Sequence, residues 1–375
     1  MTATAPFRAD HVGSLLRPAA VHNARIKYHA EQLGPDGFHT TAALTAVENE
    51  AIKEVVAMQE SVGLKAVTDG ELRRSFWHYD FMGALTGLEL VERDVGVKFH
   101  GIDLRPIFPT ITGPLDFPDD HPMLGHFRYL ASVSNAQPKI SIPGPSACHF
   151  RTAKEDIAPP EYADLDVLFA DLAKTYRKAV NAFYDAGCRY LQMDDIFFAY
   201  LCDPKHRAEK KAAGMDPDWL ITQYAKTMHD AIDGRPDDMV IAMHLCRGNF
   251  QSTWAAEGAY DPAADAVFNQ TGIDIYFMEY DTDRAGGLEP LRLLPKGSKR
   301  VMPGFITTKT PELELIDDLK KRFEEASKYA DIDQLGIAPQ CGFASTEEGN
   351  KLTFEDQKRK LELVVATAEA IWGEV

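Results

Sequence analysis

Short apolar segments alternate with long amphipathic segments along the whole sequence. The strand candidates are apolar runs at residues 11–15, 65–68, 139–142, 190–193, 240–245, 273–278, 300–306 and 334–338. Helical patterns, with apolar residues recurring every three or four positions, lie between most of these runs, at residues 41–62, 165–186, 218–232, 311–329 and 354–372. Strand–helix units repeated in this way favour one closed (β/α)8 barrel over an open sheet. We therefore predict an α/β fold in which residues 1–375 form a single (β/α)8 TIM barrel.

One segment interrupts this alternation. Residues 83–137 are rich in Pro, Gly and Phe, and the stretch LELVERDVGVKFHGIDLRP alternates apolar and polar residues as antiparallel strands do. We predict that this segment is a β-hairpin insertion after the second strand. Long insertions at the carboxyl face of a barrel commonly help to wall a site, and a passive surface excursion is the alternative.

Charge and composition exclude several classes of partner. The formal net charge of -17 repels phosphate backbones and anionic lipid surfaces, so we predict no nucleic-acid partner and no membrane partner. The sequence has five cysteines without regular spacing and begins MTATAPFRAD, without an apolar signal segment. Both features predict a reducing, cytoplasmic location. Whether the chain is a homo-oligomer is left open.

The most specific pair of candidate ligands is His244 and Cys246. Both residues lie at the end of the fifth predicted strand with one residue between them, so their side chains point off the same face. Cys341 follows the eighth predicted strand, and the carboxyl ends of barrel strands meet at one mouth. Imidazole nitrogen and thiolate sulfur are ligands that Zn²⁺ prefers, so the pattern predicts zinc. The alternative for each cysteine is a small buried core residue.

Other polar side chains also stand at the ends of predicted strands. They are Ser14, Glu71, Asp194, Asp195, Glu279 and Lys309. In a barrel such positions converge on the mouth where active sites are found. Glu279 is the candidate fourth metal ligand, and capping of the following helix is the alternative. Two adjacent acids that close a buried strand predict a cationic partner such as a substrate ammonium group.

A zinc ion held by two thiolates and a carboxylate is suited to thiol chemistry. Coordination removes the proton of a bound thiol and keeps its sulfur as a nucleophile, so the site favours S-alkylation over hydrolysis. Two histidines are further candidates, His11 for substrate binding and His78 for catalysis. A buried structural histidine is the alternative for each of them.

These motifs resemble those of a known family. They are RADHVGSLLRP, TDGELRRSFWHYDF, LQMDD, HLC, MEYD, GFITTKTPELE and APQCG, and they cover essentially the whole chain in the family's order. The chain is similar to the zinc-dependent, cobalamin-independent methionine synthases, specifically to single-barrel proteins like their C-terminal catalytic domain. The zinc ligands that the resemblance implies are His244, Cys246, Glu279 and Cys341. The residues that it implies for the amino acid group of homocysteine are Ser14, Glu71 and Asp194.

The resemblance also implies a reaction, in which a methyl group passes from 5-methyltetrahydrofolate to homocysteine and gives methionine. The full-length synthases carry a second, N-terminal barrel that helps to hold the polyglutamate tail of the folate, and 375 residues leave no room for it. The predicted donor is therefore a methylated folate or another methyl carrier. Lys309 aligns with the family's histidine that protonates the departing folate, so it is the candidate proton donor.

Two alternative functions remain open. The first is a zinc-dependent alkyltransferase or lyase that joins another thiol, such as coenzyme M, to an epoxide or another carbon electrophile. A sulfonate thiol needs cations, whereas the ammonium of homocysteine needs carboxylates, which Glu71 and Asp194 offer. The second is a non-catalytic zinc-binding barrel, which predicts a closed four-ligand site without substrate-binding groups beside it.

Overall fold

The computed structural model describes residues 5–31, 41–93, 98–99, 102–103 and 106–375. Its strands are β1 (Ala66–Val67), β2 (Thr86–Glu92), β3 (Lys98–Phe99), β4 (Ile102–Asp103), β5 (Ile107–Asp116), β6 (Gln137–Pro138), β7 (Ile140–Pro143), β8 (Tyr190–Asp194), β9 (Val240–Leu245), β10 (Ile275–Glu279), β11 (Arg300–Ile306) and β12 (Ala338–Pro339). Its α-helices are α1 (Ala19–Glu31), α2 (Ala42–Ser61), α3 (Tyr79–Met82), α4 (Pro122–Val133), α5 (Ala147–Phe150), α6 (Leu165–Asp185), α7 (Phe197–Tyr200), α8 (Pro204–Ala212), α9 (Pro217–Ile232), α10 (Asp261–Gln270), α11 (Ile316–Ala326) and α12 (Phe354–Trp372).

Parallel strands form the centre of the fold. Six of them make one sheet in the order β12–β11–β10–β9–β8–β7, and β1 pairs in parallel with β6, which directly precedes β7. At the other edge, Ala9 forms a parallel bridge with Ile337, just before β12. An α/β fold built on a parallel sheet is therefore confirmed. Closure into an eight-stranded barrel stays a prediction at this point.

The first predicted strand is displaced in the structure. Residues 11–15 are not a strand, because the pairing with the eighth segment occurs at residues 8–10, where Asp10 donates its N–H to the Ile337 carbonyl at 3.0 Å. The chain then turns toward the loop after β1. There the Thr68 hydroxyl donates to the Gly13 carbonyl at 2.6 Å, and the Leu15 N–H donates to the Gly70 carbonyl at 2.9 Å.

The long helices agree with the predicted amphipathic segments to within a few residues. The side chain of Thr41 accepts a hydrogen bond from the N–H of Leu44 and so caps α2. Thr353 and Asp356 form a capping box at the start of α12. Apolar faces of the helices cover the sheet, and β8 and β10 are buried along their whole length, as parallel strands between two layers require.

The segment predicted as an insertion contains antiparallel strands and a helix. β2 pairs with β5, and β3 pairs with β4, which agrees with the alternating pattern in the sequence. The end of the segment differs from the prediction, because α4 begins at Pro122 after a cap by the side chain of His121. This helix buries Met123, Leu124 and Phe127. Among the helices of the described ranges, none combines the length and apolarity that a bilayer crossing requires.

Candidate active site

Three predicted metal ligands come together at the carboxyl ends of the strands. His244 and Cys246 lie at the end of β9, and Cys341 follows β12. One donor atom from each side chain lies within 4.8 Å of the others, and all three residues are buried. The Cys341 Sγ is 3.6 Å from the His244 Nε2. The alternation of side chains on β9 and the parallel order of the sheet produce this meeting of residues almost a hundred positions apart.

The two thiols of this group have pKa values shifted in opposite directions. A hydrogen bond from Cys246 is the main cause that lowers the pKa of Cys341 well below its usual range, and the imidazole of His244 adds to the effect. The same hydrogen bond, together with burial, raises the pKa of Cys246. The other cysteines behave differently, since burial raises the pKa of each thiol to about 12. They are Cys148, Cys188 and Cys202.

This donor set fits zinc. One imidazole nitrogen and two sulfurs form a soft, compact group, and the lowered pKa of Cys341 favours the thiolate form that coordinates a metal. Three protein ligands are also the number that catalytic zinc sites use when the fourth position is left to substrate.

Glu279 lies outside this group of three donors. Its buried carboxylate forms an ion pair with Arg284, lies 3.9 Å from the Lys309 Nζ, and accepts the Arg247 N–H at 2.8 Å. Burial opposes ionisation, but the charges of Lys309, Arg284 and Arg247 outweigh it and lower the pKa of Glu279 to about 2. The carboxylate is therefore ionised, and its role as fourth ligand stays a prediction.

Lys309 lies beside the same group. Its Nζ is buried, is 3.9 Å from both the Glu279 Oε1 and the Asp281 Oδ2, and has no hydrogen-bond partner among the described residues. Its charge also contributes to the lowered pKa of Cys341. The predicted proton donor thus lies next to the predicted metal ligands.

A pocket opens onto the three clustered donors. The residues that line it are Val12, Ser14, Glu71, Phe76, Trp77, Arg151, Asp194, Ile196, Tyr200, His244, Cys246, Gly248, Asn249, Phe250, Cys341 and Ser345. The three residues predicted to bind the amino acid group are in this set, beside the three donors.

The backbone of Glu71 is unusual. Its φ of 58° is in the left-handed region, which non-glycine residues rarely adopt. The carboxylate accepts a hydrogen bond from the Ser141 hydroxyl at 2.9 Å and lies 3.6 Å from the Arg74 guanidinium. Burial is the main cause that raises the pKa of Glu71 to about 7, and the charge of Asp194 adds to it.

Asp194 ends β8 directly beside His244 in the parallel register. Its Oδ1 accepts a hydrogen bond from the Gln192 Nε2 at 2.7 Å, and burial raises its pKa. The neighbouring Asp195 does not line the pocket, because its carboxylate accepts from the Ser146 hydroxyl instead. Glu71 and Asp194 therefore form an acidic pair that a cation would stabilise.

Ser14 lines the same pocket as this acidic pair and contacts the loop that carries Cys341. Its carbonyl accepts the Phe343 N–H at 2.8 Å, and its hydroxyl accepts the Ala344 N–H at 3.4 Å. A Cβ at Gly342 would lie 1.9 Å from the Ser14 Oγ, so only glycine fits after Cys341.

Comparisons with known proteins place this geometry in a family. The family model described as "Cobalamin-independent synthase, Catalytic domain" matches residues 8–369. The chain belongs to the cobalamin-independent methionine synthase family. The resemblance read from the motifs is therefore confirmed.

Relatives and solved structures of this family differ in how much is known about them. The uncharacterized protein YxjG of Bacillus subtilis is 46% identical over 98% of this chain and 95% of its own length. The 5-methyltetrahydropteroyltriglutamate–homocysteine methyltransferase of Bacillus velezensis is 22% identical over 90% of this chain, which corresponds to only 40% of that longer enzyme.

Two solved structures have a similar fold. One is a Listeria monocytogenes protein provisionally described as a vitamin-B12 independent methionine synthase, with a TM-score of 0.76, 38% identity, and coverage of 99% of this chain and 100% of that one. The other is a B12-independent methionine synthase from Shewanella in complex with selenomethionine, with a TM-score of 0.71, 21% identity, and coverage of 98% of both chains.

In this member of the methionine synthase family, two predicted site histidines lie outside the residues that line the pocket. Burial and the nearby charge of Lys139 lower the pKa of His11 to about 3. His78 is packed between the rings of Trp77 and Tyr79, at centroid distances of 4.2 and 4.0 Å, and burial lowers its pKa well below the usual value. Both placements resemble the buried structural alternative.

The structure adds pocket residues that the sequence analysis did not select. Arg151 follows the short helix α5, and Asn249 follows β9, where its Nδ2 donates to the Gly342 carbonyl at 3.0 Å. Trp77 and Tyr200 supply aromatic walls. The sequence signal available for Asn249 was its place shortly after a predicted strand, the criterion that selected the other site residues of this methionine synthase family member. Arg151 follows a short helix and carries no such signal.

Proposed function

We propose that this protein is a zinc-dependent S-methyltransferase that forms methionine from homocysteine, with a methylated folate or another methyl carrier as donor. One observation carries the proposal. A nitrogen and sulfur donor set lies in the same pocket as two carboxylates and a serine that suit an amino acid. A purely structural metal site does not need the carboxylates and the serine, and a plain amino acid site does not need the nitrogen and sulfur donors. The proposal is further supported by membership of the methionine synthase family.

His244, Cys246 and Cys341 are the residues that would hold the metal, with Glu279 as a fourth ligand in the absence of substrate. Bound Zn²⁺ would favour the thiolate form of the homocysteine sulfur at neutral pH. The sulfur donors of the protein lower the tendency to activate water, so thiol alkylation is the chemistry that this set suits best.

The acidic pair explains how the other end of homocysteine would be held. Glu71 and Asp194 are both buried, burial raises the pKa of each, and the charge of Asp194 further raises the pKa of Glu71, so ionising both carboxyl groups without a bound cation is costly. A substrate ammonium group would form charge-assisted hydrogen bonds with them and remove that cost. The hydroxyl of Ser14 lies in the same pocket and can contact the carboxylate of the amino acid.

In the transfer step, the sulfur of homocysteine forms a bond to the methyl carbon while the bond from that carbon to the donor breaks. The thiol proton is lost, and the leaving group of the donor takes up a proton. Lys309 is our candidate for the group that supplies it, because its ammonium lies beside the metal ligands and the acidic Glu279. We also infer that the parallel strands and the bridge at Ala9 close into one eight-stranded barrel around this pocket.

One observation favours a second candidate function. Arg151 is a cation in the lining of the pocket, and a sulfonate thiol such as coenzyme M would need a cation of this kind. An alkyltransferase or lyase that joins such a thiol to an epoxide therefore remains the alternative. The acidic pair favours homocysteine, because it would repel a sulfonate placed against it.

A donor and acceptor matrix tests the proposal. Purified zinc-loaded protein is incubated with homocysteine and each of four donors: monoglutamyl methyltetrahydrofolate, its polyglutamyl form, methylcobalamin and an epoxide. Coenzyme M replaces homocysteine in a parallel series. We expect methionine, measured by mass spectrometry, with at least one methyl donor. Product only from coenzyme M and the epoxide would reject the proposal in favour of the alternative, and no product in any combination would reject both.

A further inference from the structure

Two loops from different parts of the sequence form one side of the pocket. The loop after β1 carries Glu71, and the loop after β12 carries Cys341. An antiparallel bridge joins Phe76 to Thr346, and the Trp77 N–H donates to the Ser345 carbonyl at 2.9 Å. The acidic half of the site and one of its metal ligands therefore lie on a single joined unit.

The side chain of Arg17 lies across this junction. Its Nη1 donates to the carbonyls of Ala344 and Thr346, at 3.0 and 2.6 Å. Its Nη2 donates to the carbonyls of Glu71 and Arg74, at 3.0 and 2.9 Å. One guanidinium group thus binds two backbone acceptors on each loop.

The geometry of this contact is specific to arginine. The guanidinium group is planar and holds its donors in a fixed fork, so the two nitrogens fix the distance between the two loops. A lysine ammonium has at most three donors on one nitrogen and cannot reach both loops in the same plane. The contact also supports the left-handed conformation of Glu71, because the carbonyl that Arg17 binds belongs to this residue.

We propose that Arg17 is a positioning residue that fixes the loop carrying Glu71 against the loop carrying Cys341. The inference rests on the proposed function. If that function holds, Arg17 sets the distance between the residues that bind the substrate ammonium and the metal that binds the substrate sulfur. It contacts neither substrate nor metal. Its loss is expected to weaken the binding of both, because each loop would lose its anchor.

The chain offers a matched control in Arg8. This residue lies in the same N-terminal segment and also donates to two backbone carbonyls, those of Asp333 and Leu335, at 3.1 and 2.9 Å. Both acceptors precede β12, at the opposite end of the strand from the pocket. Replacing Arg8 removes a comparable set of hydrogen bonds without touching either active-site loop.

The experiment compares Arg17→Met, Arg17→Lys and Arg8→Met with the wild type. Zn²⁺ affinity is measured by chelator competition, and homocysteine affinity by calorimetry on the zinc-loaded proteins. We expect Arg17→Met to weaken both by about tenfold, the lower end of the effect of outer-shell changes at metal sites. The Zn²⁺ and homocysteine affinities of Arg17→Lys are expected to lie between those of Arg17→Met and the wild type. Arg8→Met is expected to lower thermal stability and leave both affinities unchanged.

Hydrogen exchange on the metal-free proteins separates this inference from the proposed function. We expect faster exchange in peptides that cover residues 69–80 and 341–347 in Arg17→Met, and no such change in Arg8→Met. Wild-type affinities and exchange in Arg17→Met would overturn the inference, as would equal losses in Arg8→Met. If Arg17→Met does not fold, Arg17→Lys decides by the same measurements. Absence of homocysteine binding by the wild type would reject the proposed function. The hydrogen-exchange comparison would still test whether Arg17 holds the two loops together.

Discussion

Replacing Asp194 with asparagine isolates the electrostatic part of substrate binding. Asp194 is buried, ends β8 next to His244, and accepts a hydrogen bond from Gln192 at 2.7 Å through its Oδ1. Asparagine has nearly the same shape, and its amide oxygen can still accept from Gln192. The substitution therefore removes one negative charge and leaves the packing in place. Asp194 is not one of the three clustered donors, so zinc content is expected to stay at the wild-type level.

The size of the effect follows from the contact that is lost. A hydrogen bond to a charged group contributes about 1.5–3 kcal/mol. That range corresponds to an affinity for homocysteine that is weaker by a factor of about 10 to 150. Because burial raises the pKa of Asp194, part of the ionisation cost also disappears in the variant. The free energy of unfolding is therefore expected to change little or to increase.

Calorimetric titration with two ligands tests this reasoning. Homocysteine is compared with 4-mercaptobutanoate, which has the same thiol and carboxylate but no amino group. The wild type is expected to prefer homocysteine, and Asp194→Asn is expected to lose most of that preference while it binds 4-mercaptobutanoate as the wild type does. Equal losses for the two ligands would show that the substitution disturbs the pocket as a whole. An unchanged affinity for homocysteine would refute the role of Asp194 in binding the ammonium group.

Three further predictions concern the metal ligands, the pH dependence and the proton donor. Cys341→Ser is expected to lose bound zinc, measured by elemental analysis, and activity together; full zinc content in an active variant would contradict the ligand assignment. Burial raises the pKa of Glu71 to about 7, so lowering the pH through that value protonates the carboxylate that would bind the substrate ammonium. Homocysteine affinity should therefore fall by up to about tenfold per pH unit below the pKa. A calorimetric affinity that stays constant between about pH 5 and pH 8 would count against this role of Glu71. Lys309→Met is expected to slow turnover by about 10²-fold, which is the lower end of the contribution of general acid catalysis. Lys309→His is expected to retain more activity, because imidazole can also donate a proton. Wild-type turnover in Lys309→Met would exclude Lys309 as the proton donor.

The sequence predicted the elements of the fold better than their pairing. Amphipathic periodicity located the long helices because their buried faces repeat in the sequence itself. The strand pairing of the N-terminal segment was harder to predict from the sequence. Apolar character pointed to residues 11–15, whereas the pairing occurs at Ala9 and Asp10, since the partner Ile337 fixes the register. The helix α4 was also missed, because the Pro- and Gly-rich context masked its capping residue His121.

In the candidate site, too, the sequence selected some of the residues that line the pocket and missed others. Strand-end positions and motif spacing selected Ser14, Glu71 and Asp194, and the structure brings them together with the three clustered metal donors. The same criterion passed over Arg151, which follows a short helix rather than a strand end. His11, which was predicted to bind substrate and begins the first predicted strand, lies outside the lining of the pocket.

The order of residues along the chain determined which chemical groups stand at the ends of the strands, because side-chain alternation and strand–helix periodicity are local properties. Folding in three dimensions decided which of those groups meet. Glu279 is the clearest case: its sequence position made it a candidate ligand, but Arg284, Lys309 and the Arg247 N–H reach its carboxylate only in the folded chain. Electrostatic interactions depend on distance and burial, and both are set by packing between segments far apart in the sequence.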